Sequence, residues 1–351
     1  MGSTARALRC ASSCAVVAVV VAACGAIARD QDVPLPGASA PAAAAIAAIA
    51  PLASMVGGTW WTAFPDGRRE AQRWHRGPGG NSLRVDSYGN ASGERTCGVV
   101  RVFYWHPAEQ RLRLRAFLRG GRIVEGPVQH DADGVLAETV LAAPGAVDRA
   151  LVWRWTLEAA DDARLRLAEG DVRSSVPMTD WRAHRAAGEE VHDPTIVLGT
   201  PSLPPALRAF APMVGPRWQV LRGDEVARTT RFRAVPFAEI VHVRTTIGAG
   251  EEGDPEAELY VYVAPRGAPL QALLLLADGT VGEGAVTAMP GGAVRLDLDC
   301  HGPGGAASFQ VELEVRDGSL RQRVMRVAGA NSEIADRSWG FLSPSMAAAG
   351  G

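Results

Sequence analysis

Trp153 and Trp155 stand two residues apart in Leu151-Val-Trp-Arg-Trp-Thr-Leu157, a run that alternates apolar and polar side chains. Such alternation marks a β-strand with one face inward, so both indoles are expected on the inward face with Leu151 and Leu157. Seven of the nine tryptophans fall before residue 182, at 60, 61, 74, 105, 153, 155 and 181. On one reading, Trp60, Trp74, Trp153 and Trp155 line a pocket for a flat or apolar ligand, with Arg73 and Tyr104 as polar orienters. On a second, the indoles fill the first interior and a roomier second one, with Val311 and Leu313 at the equivalent places, takes the ligand. On a third, both interiors are packed cores.

Other chemistry is scarce. The sequence has no Gly-x-Ser-x-Gly nucleophile turn, no His-Glu-x-x-His and no EF-hand loop. All 36 basic residues are arginine, which excludes a phosphate loop with its lysine, a pyridoxal Schiff base and a lysine nucleophile. With 38 acidic residues the net charge is −2, so no long-range field draws the chain to nucleic acid, and none is expected as a partner. Asp297, Asp299 and His301 share strand parity, but Val294, Leu296, Leu298 and Cys300 form the apolar face, which leaves the polar three in solvent. The stretch from His184 to Asp193 reads as a solvated linker. Glu125-Gly126 and its repeat Glu283-Gly284 read as a strand kink, with glycine accepting the bend and glutamate bonding backbone. No catalytic residue, metal or cofactor is assigned. Cys97 and Cys300 could pair in an oxidising compartment or stay as buried thiols.

The N-terminus carries an address. Arg6 and Arg9 precede an apolar run from Ala15 to Ala23, too short to span a bilayer and suited to a signal peptide over residues 1–23. Val21-Ala-Ala-Cys24 resembles a bacterial lipobox, which implies lipidation of Cys24. The rival is cleavage after Ala26-Ile-Ala28. Residues 24–44 read as a Pro/Ala-rich tether. The expected location is the bacterial cell envelope, lipid-anchored with the outer membrane favoured by Gly25, or else soluble in the periplasm or secreted. Membrane attachment is expected through the anchor alone.

The elements that must position the tryptophans are written twice. Met55-Val-Gly57 with Trp60 recurs as Met213-Val-Gly215 with Trp218. Arg73, Tyr104, Glu125-Gly126, Gly134 and Trp181 recur, at the same 158-residue offset, as Arg231, Tyr262, Glu283-Gly284, Gly292 and Trp339. A duplication follows, with a first unit over 45–182, a linker over 183–202, a second unit over 203–341 and a flexible tail over 342–351. Period-two runs between turns such as Asp133-Gly134 and Asp278-Gly279, with 39 glycines and 23 prolines, specify an all-β fold. Each unit is expected to hold nine or ten strands behind a helical turn, at Ile49–Leu52 and Leu207–Phe210, and to fold on its own.

The lid, Gly58-Thr-Trp60 opening the first strand, Arg73-Trp74, Tyr104-Trp-His-Pro107 and Arg119-Gly-Gly-Arg-Ile-Val-Glu-Gly126 together resemble lipocalin-type (calycin) barrels. Within that group they resemble a bacterial family of small lipocalin-like domains of unknown function. The resemblance covers both units; the second departs from it with Pro216-Arg-Trp218 and with Phe232 in place of Trp74. It implies two tandem antiparallel lipocalin-like barrels, with Trp60 and Trp218 closing the barrel ends. The function expected on this basis is non-enzymatic binding of a small apolar or aromatic ligand. The alternatives are an enzyme acting on a lipid or isoprenoid-like substrate, as in tandem lipocalin-like proteins resembling carotenoid hydratases and terpenoid cyclases, and an envelope protein-interaction module.

Overall fold

Among the described residues, strand-forming runs build twenty antiparallel strands, several of them joined through positive-φ glycines. The structure, a computed structural model, describes residues 40–63, 69–90, 95–174, 176–186, 203–222, 225–235, 238–249, 255–265, 270–327 and 339–342. The expected signal peptide, Cys24 and the tail beyond Leu342 lie outside the described residues, as does the linker from 187 to 202.

Helix α1 (Ala40–Ala53) leads into β1 (Thr59–Ala63), β2 (Arg69–Arg76), β3 (Ser82–Asn90), β4 (Arg95–His106) and β5 (Arg111–Leu118). β6 (Arg122–Asp131), β7 (Gly134–Ala142), β8 (Arg149–Ala159), β9 (Asp162–Glu169) and β10 (Val176–Ala186) follow. Neighbours in sequence pair throughout, and β10 returns to β1 to close the barrel. The second half repeats this with β11 (Arg217–Arg222), β12 (Glu225–Val235), β13 (Ile240–Ile247), β14 (Pro255–Val263) and β15 (Leu270–Leu276). It is completed by β16 (Val281–Ala288), β17 (Val294–Gly302), β18 (Gly305–Arg316), β19 (Ser319–Val327) and β20 (Trp339–Leu342), which closes on β11. The expected pair of antiparallel barrels is present.

Two boundaries differ from the sequence reading. Helix α1 begins at Ala40, inside the stretch expected as tether, and runs well beyond a single turn. Its Ala45, Ile49 and Leu52, spaced for one helical face, are all buried. Strand β10 runs to Ala186, and Ala183–Ala186, expected as linker, pair with β1. The second barrel has only a short 3-10 turn, Pro205–Phe210, which buries Leu207 and Phe210.

The duplicated Met-Val-Gly-x-x-Trp motif joins each lid to its barrel. The Trp60 indole donates to the Met55 carbonyl at 2.8 Å, and the Trp218 indole donates to the Met213 carbonyl at 2.9 Å. Gly57 and Gly215 turn the chain between them at φ 92° and 104°, a conformation only glycine adopts without strain.

Three apolar cores result. One fills the first barrel around Trp60, Trp74, Phe103, Trp153 and Trp155. One fills the second around Phe210, Phe232, Phe309, Val311 and Leu313. The third belongs to neither unit alone, because outward residues of both barrels make it, including Val102, Tyr104 and Phe117 against Tyr260, Tyr262 and Leu275. These form pairs at the repeat offset. The pattern is that of an isologous, two-fold interface built within one chain. Asn81 donates to the Ala277 carbonyl at 2.8 Å, so the helix-capped end of the first barrel lies beside the β15–β16 turn of the second. A separated unit would expose its share of this core.

Candidate functional site

The inward tryptophans of the first barrel form one stack. Trp153 and Trp155 lie face to face with ring centres 5.9 Å apart, Trp155 meets Phe103 edge-on at 5.3 Å, and Phe103 stacks on Trp74 at 5.8 Å. Trp60, at 0% exposure, closes the end beneath α1. Four of the six expected ligand residues, Trp60, Trp74, Trp153 and Trp155, are thus brought together. The Trp153 indole donates to Thr139 Oγ1 at 3.1 Å, so its polar edge is satisfied inside the barrel.

Arg73 and Tyr104 are not brought to this interior. Gln72 and Trp74 alternate inward on β2, which sends the half-buried Arg73 outward. Tyr104 is buried against the other barrel and donates its hydroxyl to Glu283 Oε1 at 3.1 Å. Burial raises its phenol pKa, and the Glu283 carboxylate adds to that effect.

The polar groups that do point inward are others. Arg101, only 7% exposed, lays its guanidinium over the Trp153 ring at 5.7 Å and donates to Ser87 Oγ at 2.5 Å. Gln72 donates to Glu70 at 3.2 Å. With Thr62, Trp155 and Trp181 these line a cavity of about 30 Å³, room for one water. At the helix-capped end, Trp155, Met55 and Ala163 also border an open cleft of about 540 Å³ between the end of α1 and the β7, β8 and β9 strands. Leu52, Val135 and Leu157 add apolar wall, while Asp133 and Arg166 lie at the rim.

None of the inward polar set is repeated. In the second barrel Leu259 takes the place of Arg101, Thr230 that of Gln72, and Val311 and Leu313 those of the two tryptophans. Sequence reasoning missed Arg101, because β4 is apolar on both faces; its inward direction follows only from Phe103, of the same parity, lying in the first-barrel core.

Two charge networks lie between the barrels. Arg84 contacts Asp86 of its own barrel at 3.1 Å and Glu258 of the other at 3.1 Å, with its Nη1 3.2 Å from His242 Nε2. The Tyr260 hydroxyl donates to Glu258 at 2.6 Å, and its ring stacks on His242. Burial opposes ionisation of Glu258, but Arg84, with His242 and Tyr260, outweighs it and holds the carboxyl down at about 2. Burial likewise opposes ionisation of Asp86, and Arg84 and His75 hold it far below the usual carboxylate range. Burial, then the neighbouring Arg84, lowers the pKa of His242.

In the second network Arg115 bonds Glu125 at 2.8 Å, Glu283 at 3.0 Å and the Tyr262 hydroxyl at 3.1 Å. The repeated Glu-Gly pairs are therefore explained differently from the sequence reading. Both glutamates bind Arg115 side by side, one from each barrel, instead of bonding backbone. The glycines are required by close approach, since a Cβ would fall 2.0 Å from the Glu138 oxygen at Gly126 and 1.8 Å from the Asp297 oxygen at Gly284.

The weaker candidates are occupied locally. Asp297 accepts from Gln310 and Arg295, Asp299 from Ser308, and His184 pairs with Asp162. No cluster of three or more metal-ligating side chains occurs among the described residues. Cys300 is a buried free thiol, and the Cys97 side chain lies outside the described residues. No protein-family model and no curated protein matches the chain.

Proposed function

We propose that this is a lipocalin-like protein of the bacterial cell envelope that binds a small apolar or aromatic molecule at the helix-capped end of its first barrel, without catalysing a reaction. The observation that carries this reading is the open cleft of about 540 Å³ floored by Trp155. Its volume falls in the roughly 300–1,000 Å³ range of small-molecule sites. Its lining mixes apolar side chains with Thr156, Asp133 and Arg166, and Trp155, which borders it, belongs to the Trp153–Phe103–Trp74 stack. The second barrel has Leu313 where Trp155 lies, so the aromatic character that favours the first barrel is absent from the second.

The test uses N-phenyl-1-naphthylamine, an uncharged probe, titrated into the purified protein. Bound probe is expected to quench tryptophan emission by energy transfer. Trp155→Leu is expected to weaken binding by about tenfold, equivalent to about 1.4 kcal/mol. Absence of probe binding in the parent, or unchanged affinity in Trp155→Leu, overturns the reading.

The address rests on the lipobox-like Val21-Ala-Ala-Cys24 and the apolar run before it. Among the described residues no helix is long and apolar enough to cross a membrane. Cys24→Ala is expected to move the protein from the membrane fraction to the soluble envelope fraction. An unchanged distribution with unchanged mature mass removes the anchor from the proposal.

A further inference from the structure

Arg84 and His242 are 158 positions apart, which is the repeat offset of the chain, and they touch across the barrel–barrel interface. In an isologous pairing only residues on the two-fold axis meet their own counterparts. This pair therefore marks the axis, and the axis is occupied by two different residues.

The surroundings are equally one-sided. Asp86, from the first barrel, and Glu258, from the second, both bind the single guanidinium of Arg84. At the position equivalent to Glu258 the first barrel has Val100, and at that equivalent to Asp86 the second has Arg244. Two first-type barrels pressed together would force two guanidiniums into a space that here holds one guanidinium against a flat ring. Two second-type barrels would bury a pair of Glu258 carboxylates without the guanidinium that here bridges Glu258 to Asp86, leaving each to Arg244, its cross-strand neighbour in the same barrel. Only the mixed pair places a single guanidinium between two carboxylates, one from each barrel. The pairing does not depend on the linker for its apolar contact, since outward residues of both barrels form a continuous buried cluster around it.

We infer that Arg84, His242 and Glu258 make the two barrels select each other, so that this face accepts a barrel of the opposite type and rejects a like barrel from a second copy of the chain. The axial asymmetry supplies attraction for one partner and, for the other, a clash or the loss of the shared guanidinium, the two ingredients of specificity.

The test uses the full chain with a protease site placed between residues 193 and 201 and cut after folding. Native mass spectrometry at low micromolar concentration is expected to show one first barrel bound to one second barrel. Separated halves, or pairs of like halves, overturn the inference. In the uncut chain, Arg84→His and His242→Arg are each expected to lower Tm by on the order of 10 °C. The exchange variant Arg84→His/His242→Arg is expected to regain at least half of that loss, because a guanidinium returned to the axis from the other barrel again lies between Asp86 and Glu258. An exchange variant no more stable than Arg84→His overturns the axial assignment, and this comparison decides the matter even if His242→Arg does not fold.

Discussion

Arg101 presents the clearest contrast between what a barrel needs and what this barrel contains. A guanidinium held inside an apolar barrel is costly unless it is well partnered, and the sister position, Leu259, shows that the architecture is built equally well with an aliphatic side chain. Arg101→Leu is therefore expected to change stability by less than about 1.5 kcal/mol, since replacing a buried charge with a well-packed apolar side chain is often neutral or stabilising. Urea denaturation measures this directly, and a loss above about 3 kcal/mol would make the arginine a structural requirement. At this scale much was legible. The parity of Trp153 and Trp155 on β8 placed both indoles correctly inside, because Arg154 and Thr156 on the other face fixed the choice. Tyr104 was not legible in the same way. Its strand reads Val99-Val-Arg-Val-Phe-Tyr-Trp105, apolar on both faces, so alternation could not tell inward from outward. Its outward direction was decided by a second barrel that local sequence does not reveal.

Strand pattern contained that second barrel all the same. Strands covered on one side alternate, as β17 does with Val294, Leu296, Leu298 and Cys300 buried and Arg295, Asp297 and Asp299 on its outer face. Strands covered on both sides read as continuous apolar runs. β15, with Ala272, Leu273, Leu274, Leu275 and Leu276 all buried, is such a run, and so is the Leu259-Tyr-Val-Tyr262 stretch of β14. Their apolar continuity is the sequence trace of the shared third core, spread over elements that alternation alone assigns to simple barrel walls. The lids show a different limit. Ile49 and Leu52 marked a turn of helix, but the preceding alanines, good helix formers in a Pro/Ala-rich context, gave no sign of where α1 begins. Burial of Ala45 carries the packed face of the helix a turn beyond Ile49. The Met-Val-Gly-x-x-Trp repeat was visible as identity, while its purpose, an indole bonded to the carbonyl five residues back, required the fold.

At the scale of the whole molecule, the two barrels are joined by titratable groups, which makes the junction sensitive to acid. All four tyrosines of the chain, at 88, 104, 260 and 262, lie in the third core, so phenol absorbance reports on this junction. Glu258 and Glu283 are each held at about 2 in the folded protein, below the ordinary carboxylate value, the first by Arg84 against burial and the second by His106 and Arg115 against burial. A carboxylate depressed in the folded state contributes stability above its unfolded pKa and loses it as pH falls toward the folded value. For Glu258 the window runs from about 4.5 down to about 2 and corresponds to roughly 3 kcal/mol. His242, lowered by burial and by Arg84, has the same sign, because the unfolded chain takes up its proton first as pH falls below about 6.5. The barrel interiors, filled with Trp, Phe, Leu and Val, carry far fewer such groups. Acidification is thus expected to expose the tyrosines between pH 4.5 and 2, seen by second-derivative absorbance, before far-ultraviolet circular dichroism shows loss of strand structure. Glu258→Gln should flatten the first of these transitions and leave the second in place. Simultaneous loss of both signals in the parent, unaltered by Glu258→Gln, would mean that the junction and the barrels unfold as one unit and that the buried charges do not set its acid limit.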